Sequence, residues 1–488
     1  MIEIQNLSLK IKTKQILKNI NLSINSGEKI ALLGASGSGK SMLLQSILGI
    51  LLEDMELNGN IKTNEKFGVI LQNPSSCFFN TCTIKEHFLE TFKAHKIREY
   101  NYNLECLNLD VSILESYPFM LSGGTLQKIM IALALSVNPS FIVADEPTSN
   151  LDSITTKNLI DLMLEQQKNK EFGLLFVTHD ISLAKYIADR IIIIDNGEII
   201  EQNTKEQIIA NPQHVKTKEL LNEDKKLNYI EKKEKTINTK KLISVRNLKK
   251  SYTNGGFFKK EKINYVLDDI NFDVFYKSNL GILGKNGAGK STITKILLGL
   301  ESYNDGEVEI LDHNIKNNFP KELRQNIQSI FQDSSYINPK QSAMDAILEG
   351  LENFTHIQNR EKKAEELLKL VKLDSSCIHK KNAYFSGGEQ QRIALARILA
   401  LEPKIIILDE AISSLDAHLQ YKMIKLFQNI KKEKNITFIV VSHDIRIILQ
   451  LCNEIIILNN GKIALKTSVD NTEQIKENPY LKEFYQYT

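Results

Sequence analysis

Apolar and polar residues alternate along 2–11, IEIQNLSLKI, and again along 242–252, LISVRNLKKSY. Period-two patterning predicts a half-buried strand opening each half of the chain. Continuous apolar runs of strand length follow. Lys29–Leu33 and Leu280–Leu283 each lead into a glycine-rich turn, and FIVAD at 141–145 and LLFVTH at 174–179 are bounded by helical segments. Helices are expected over 41–49 and 291–299, directly after the glycine turns, and over 126–137 and 390–400. Fully apolar strands alternating with helices predict an α/β fold, a parallel sheet covered by helices.

The same wording occurs twice. GASGSGKS at 34–41 recurs as GKNGAGKS at 284–291, LSGG at 121–124 as FSGG at 385–388, IVADE at 142–146 as IILDE at 406–410, and VTHD at 177–180 as VSHD at 441–444. Lys40 and Lys290 stand 250 residues apart, whereas Ser122 and Ser386, Asp145 and Asp409, and His179 and His443 stand 264 apart. The 14 additional residues therefore fall between the glycine turn and the SGG motif, where a surface subdomain tolerates insertion. The segment NEDKKLNYIEKKEKTINTKK, 222–241, is charged and is read as a linker. The expected organisation is a first domain over 1–221, a charged linker over 222–241 and a second domain over 242–488.

Composition narrows the classes without choosing among them. The chain of 488 residues is 42% hydrophobic and 25% charged, ordinary for a globular protein. A net charge of +3 gives no basic footprint for nucleic acid. The five cysteines form no closely spaced framework and are expected to be free thiols in a reducing compartment. No apolar run reaches the roughly 18 residues needed to cross a bilayer, and the first residues carry no signal-peptide core. Work at a membrane would have to go through a partner.

GxxxxGKS between a buried strand and a helix is a phosphate-binding loop. Gly34, Ser36, Gly37 and Gly39, with Gly284, Asn286, Gly287 and Gly289, let backbone N–H groups turn toward phosphate oxygens at a helix N-terminus. Lys40 and Lys290 are expected to reach the β and γ phosphates, Ser41 and Ser291 to ligate Mg²⁺, and Thr292 to lie beside the nucleotide. One copy could be a chance glycine turn; two in the same context are not. Asp145 and Asp409 end apolar runs, where a carboxylate can hold Mg²⁺. Glu146 and Glu410 follow, placed to orient or deprotonate the attacking water. Ser122-Gly123-Gly124 and Ser386-Gly387-Gly388 precede helices, and taken alone would more often be plain serine caps than anion sites.

With these motifs in order, the chain resembles the ATP-binding-cassette family over nearly its whole length. The resemblance implies two tandem P-loop NTPase domains, each with a mainly parallel core sheet, an antiparallel β subdomain and a helical signature subdomain. It assigns Gln72 and Gln332 to the Q-loop, which senses Mg²⁺ and faces membrane subunits. SNLD at 149–152 and SSLD at 413–416 become D-loops, and His179 and His443 switch histidines at the γ-phosphate. Tyr252 fits the aromatic that stacks on adenine; its counterpart in the first domain is Ile11. Other inequalities are Lys128 opposite Arg392 and Pro147 opposite Ala411. The family pairing is head to tail. One ATP site would join Lys40, Asp145, Glu146 and His179 to Ser386, Gly387 and Gly388, and the other would join Lys290, Asp409, Glu410 and His443 to Ser122, Gly123 and Gly124.

Within the family the chain looks most like the oligopeptide/dipeptide/nickel importer group, through FQDSSYINP at 331–339, LQNPSSCFFN at 71–80 and ANPQHVKTKELL at 210–221. The stretches 117–135, 252–260 and 407–416 look like its nickel-type pair. The resemblance implies an ATPase with ATP and Mg²⁺, peripheral at the cytoplasmic face of the membrane. It would serve two transmembrane permease subunits and, through them, a substrate-binding protein, without nucleic acid. The cargo would be nickel, a nickel chelate, or di- and oligopeptides. An energy-coupling-factor vitamin or metal importer stays open as an alternative. A soluble ABC translation factor and a monosaccharide importer are disfavoured by the short linker and the intact second glycine loop respectively. Cys77 and Cys82 have no nearby histidine partners of metal-ligand spacing, so an incidental role is expected.

Overall fold

The computed structural model describes residues 1–35, 37–148, 151–228, 239–254, 262–316, 318–331, 337–354, 359–413, 415–471, 475 and 477–478. The chain divides into two units, Met1–Lys225 and Lys226–Gln486.

In the first unit, β1 (Ile2–Ile11) and β2 (Lys14–Ile24) form an antiparallel pair. The strand β3 (Lys29–Leu33) leads into α1 (Lys40–Leu48), and β4 (Met55–Lys62) pairs on the other side of β1, giving the antiparallel order β2-β1-β4. Then come β5 (Phe67–Ile70), α2 (Ile84–Ala94), α3 (Gly123–Ser136), β6 (Phe141–Asp145), α4 (Ser153–Lys170), β7 (Gly173–Thr178), α5 (Ile181–Ile187), β8 (Arg190–Asp195) and β9 (Glu198–Thr204). The larger sheet has the order β5-β6-β7-β3-β8-β9, parallel except for β9. Its central strands are buried on both faces, which explains their unbroken apolar wording. The short α6 (Lys205–Ala210) and α7 (Val215–Asn228) follow.

The helix α7 takes in residues 222–228 of the stretch read as a linker. Leu221 is buried, and Asp224, only 4% exposed, is held by Lys185 at 3.3 Å, so a charge in the sequence sits on an inward face. Residues 229–238 lie outside the described residues.

The second unit repeats the plan. Its antiparallel sheet combines β10 (Lys241–Asn254), β11 (Lys262–Phe275), β13 (Asp305–Ile310) and β14 (His313–Asn314) in the order β11-β10-β13-β14. Between them, β12 (Leu280–Gly284) leads into α8 (Lys290–Leu297). After α9 (Lys321–Asn326) come β15 (Ile327–Phe331), α10 (Ala343–Phe354), α11 (Arg360–Leu370), α12 (Gly387–Leu399), β16 (Ile405–Asp409), α13 (Ala417–Lys434), β17 (Thr437–Ser442), α14 (Ile445–Leu451), β18 (Glu454–Asn459) and β19 (Lys462–Ser468). The core sheet runs β15-β16-β17-β12-β18-β19, with β19 alone antiparallel. Most of the additional length expected between glycine loop and SGG motif is the β14–α9 excursion. The first unit passes from β4 to β5 there in a short turn.

Among the described residues no helix is long and apolar enough to cross a membrane. Among the described residues no disulfide joins any of the five cysteines.

Candidate active sites

The strand order decides what meets. The strands β6, β7 and β3 lie side by side and run the same way, so the residues after their C-terminal ends share one edge. That edge is where open α/β sheets place ligands. It brings together the loop 34–39, the Asp145–Glu146 pair and His179. In the second unit β16, β17 and β12 do the same for 284–289, Asp409–Glu410 and His443.

The glycine loops close tightly around their lysines. Gly37 and Gly39 have φ of 79° and 108°, and Gly287 and Gly289 have 80° and 103°, backbone that a side chain resists. Lys40 is 6% exposed; its Nζ donates to Gly34 O at 2.8 Å and Ala35 O at 3.0 Å. Lys290 is 5% exposed and donates to Gly284 O at 2.7 Å and Lys285 O at 3.1 Å. A Cβ on Gly34 or Gly284 would meet the carbonyl of Ile194 or Leu458, so these two glycines let β8 and β18 approach. Ser41 bonds to the Asp145 carboxylate. Ser36 and Gln332 lie outside the described residues, as do Ser149, Asn150 and Ser414 of the expected D-loops.

Each glutamate is the hub of its site. Glu146 Oε1 lies 3.2 Å from His179 Nδ1 and 4.0 Å from Lys40 Nζ, and Glu146 Oε2 accepts from Gln72 Nε2 at 3.2 Å. Glu410 Oε1 lies 3.7 Å from Lys290 Nζ, and Oε2 lies 3.5 Å from His443 Nδ1. Both glutamates have left-handed backbone, φ 43° and 51°, at the first residue past the strand. Their N–H groups still reach the next strand, at Val177 O (3.0 Å) and Val441 O (2.9 Å). A left-handed non-glycine residue costs roughly 1–3 kcal/mol, and such strain collects at functional sites.

The electrostatics follow from this crowding. Burial pushes the Asp145 carboxyl up, and the adjacent Glu146 charge adds to this against the Ser41 hydrogen bond and Lys40. Burial together with the Glu410 charge pushes Asp409 up to about 6, with Lys290 and a hydrogen bond from Thr294 opposing. Burial would raise Glu146 too, but the hydrogen bond and charge of His179, with Lys40, hold it below the usual range. The pattern is the same at Glu410 with His443 and Lys290. For His179 burial acts downward, and Glu146 more than reverses it, so the imidazole is raised. The two adjacent acids of each site are thus pushed in opposite directions, the aspartate by burial and the neighbouring carboxylate, the glutamate by its histidine and lysine.

The signature serines cap helices that start three residues earlier than the patterning predicts, at Gly123 and Gly387 rather than 126 and 390. Ser122 Oγ accepts from Thr125 N at 3.2 Å; Ser386 forms a reciprocal capping box with Glu389. A Cβ added to Gly123 or Gly387 would meet nothing within 4 Å. Neither glycine is required by its own unit, although helical glycine costs about 1 kcal/mol relative to alanine.

Two residues were missed by pattern reading. Thr294 is 1% exposed, one helical turn beyond Lys290, and bonds to Asp409; its counterpart is Leu44. Lys250 is 7% exposed beneath Tyr252. Both occupy positions that are apolar in the first unit, and that difference between the repeats was the available signal. Thr292 is half-buried on α8, and Ser291 is exposed at its start.

The family model described as ABC transporter matches residues 17–149 and 267–413, more than half of the chain. The chain belongs to the ABC transporter family. An ABC transporter ATP-binding protein of Escherichia coli K12, YejF, is 32% identical over 505 residues, covering 95% of each chain. The glutathione import ATP-binding protein GsiA of Shigella dysenteriae serotype 1 is 29% identical, covering 98% of this chain and 87% of its own. A solved dimeric structure of the ATP-binding cassette MJ0796, bound to ADP and Pi, is 29% identical and covers 46% of this chain and 98% of that one, with a TM-score of 0.42. As an ABC protein the chain is an ATPase that binds ATP with Mg²⁺ through two cassettes. It is the ATP-binding subunit of an ABC transporter.

Proposed function

We propose that this ATPase powers uptake of small peptides through separate membrane permeases. The similarity to GsiA over 98% of this chain carries this reading, since GsiA is named for import of glutathione, itself a tripeptide. The expectation of nickel rests on the resemblance of 117–135, 252–260 and 407–416, together with the altered tail at His214-Val215-Lys216. Permease docking is supported by large apolar residues left exposed in the first unit: Leu71 (44% exposed), Phe79 (74%), Phe119 (65%) and Met120 (64%). Leu71 adjoins Gln72, so a partner seated there would press on the residue that donates to Glu146.

In the proposed mechanism the glycine loops cradle the β and γ phosphates, with Lys40 and Lys290 turned from backbone carbonyls to phosphate oxygens. Asp145 with Ser41, and Asp409 with Ser291, would hold Mg²⁺, which would supply charge neutralisation at the phosphates. Gln72 and Gln332 join the ion's surroundings. Glu146 and Glu410 accept the proton of the attacking water, and His179 and His443 face the γ-phosphate. The signature residues Ser122–Gly124 and Ser386–Gly388 serve a nucleotide held by another cassette's loop, a reading supported by Gly123 and Gly387, where a Cβ would meet nothing in their own unit. A periplasmic or surface binding protein would deliver the cargo to the permeases, with the ATPase peripheral on the cytoplasmic side.

The test is uptake in a deletion strain. Labelled glutathione, dipeptides and nickel are supplied separately, with the gene restored as control. Loss of peptide uptake with nickel uptake intact is expected. Loss of nickel uptake alone would overturn the peptide assignment.

A further inference from the structure

Tyr252 has a built support that its counterpart in the first unit lacks. Leu248, Lys250 and Tyr252 alternate along β10 and so share one face of the strand. Their exposures are 0%, 7% and 40%, so the lysine is buried directly behind a ring that remains open. Lys250 Nζ lies 2.6 Å from Glu301 Oε1 and 4.8 Å from the Tyr252 ring centroid. The ammonium therefore covers part of the ring and is itself fixed by a carboxylate that is 26% exposed.

The first unit has no such arrangement. Aligning Asn6-Leu7 with Asn247-Leu248 sets Leu9 against Lys250 and Ile11 against Tyr252, and the glycine-loop spacing sets Leu51 against Glu301. Leu9 is fully buried and Leu51 packs on the same core. A Leu–Leu–Ile set has become Lys–Glu–Tyr. Stability does not account for the exchange, because replacing a buried ion pair by packed apolar side chains is commonly neutral or stabilising. An ammonium over an aromatic face is attractive and fixes the ring's orientation. A purine stacks on such a prepared ring at less ordering cost than on a mobile one.

We propose that Lys250, clamped by Glu301, is a positioning residue that orients Tyr252 as a base shelf, making the second unit's nucleotide site the tighter and more purine-selective of the two. The inference rests on the reading of Tyr252 as the adenine-stacking residue. Lys250 acts through Tyr252 and does not itself meet nucleotide.

The full-length chain carrying Lys40→Ala reports on the second unit's site, and Lys290→Ala on the first. Equilibrium binding of MgATP and MgUTP to each gives an ATP/UTP preference per site. In the Lys40→Ala background, Lys250→Leu with Glu301→Leu restores the wording of the first unit, and a thermal melt confirms folding. The preference should fall about 3- to 10-fold, mainly through weaker ATP binding. Lys250→Arg should retain most of it. Adding the Leu pair to Tyr252→Ala should change nothing further, since Lys250 then has no ring to orient. An unchanged preference in the Leu pair, while Tyr252→Ala still lowers it, overturns the role of Lys250 alone. An unchanged preference in Tyr252→Ala overturns the base shelf itself. A second unit that prefers ATP no more than the first overturns the inequality.

Discussion

Replacing both Glu146 and Glu410 with Gln should nearly abolish hydrolysis while leaving a folded protein that binds MgATP. The magnitudes can be set against each other. Glu146 Oε1 is 4.0 Å from Lys40 Nζ. At an effective dielectric near 20 that pair attracts by about 4 kcal/mol before the cost of burying the charges, which offsets most of it. Gln keeps the volume and one acceptor for the Gln72 amide, so the net stability loss should be about 1–2 kcal/mol per site, the worth of one charge-assisted hydrogen bond. Loss of a proton acceptor in hydrolysis removes about 10²- to 10⁴-fold in rate, or roughly 3–5 kcal/mol of barrier. The chemical effect therefore exceeds the structural one. A second readout separates them: without the Glu146 charge, the raised His179 imidazole should titrate at lower pH in NMR. Phosphate release is measured at saturating MgATP, and nucleotide binding separately. Hydrolysis within tenfold of the parent would refute the assignment of the glutamates.

Gly123→Ala and Gly387→Ala should raise stability slightly, by up to about 1 kcal/mol each and seen as a higher melting temperature, because a Cβ meets open space. The same variants should lower hydrolysis about tenfold or more if these backbones meet phosphate; full activity would remove them from the site. Asp409, pushed up from an ordinary 3.8 to about 6, binds its proton more tightly folded than unfolded. That contribution to stability is complete below about pH 4 and is lost as pH rises through about 6. Asp409→Asn should therefore raise the melting temperature of the nucleotide-free protein at pH 8 and leave it nearly unchanged at pH 4.5; an equal shift at both pH values would contradict the sign. Phe79→Ser with Phe119→Ser should leave basal hydrolysis intact and weaken co-purification with permease subunits, and undiminished association would place docking elsewhere.

The repeat, the order of motifs and the identity of the loop lysines, aspartates, glutamates and histidines were determined by the sequence alone. Phosphate binding demands glycine at set spacings, and buried parallel strands leave an apolar signature that locates the residues just past their ends. Strand order was not legible, because nothing local records that β7 lies between β6 and β3, the arrangement that puts His179 on Glu146. Nor was the left-handed backbone at Glu146 and Glu410, a strain held by ladder bonds to Val177 and Val441. Charge was the most misleading local sign. Asp224 was read as linker and is buried on a helix, and Lys250, a charge within the opening strand, lies behind Tyr252. A charged side chain is buried only where the fold supplies its counter-ion, here Lys185 and Glu301, and each stands 39 or more residues away in the chain. Such pairings are set by tertiary packing, and no window along the sequence contains both partners.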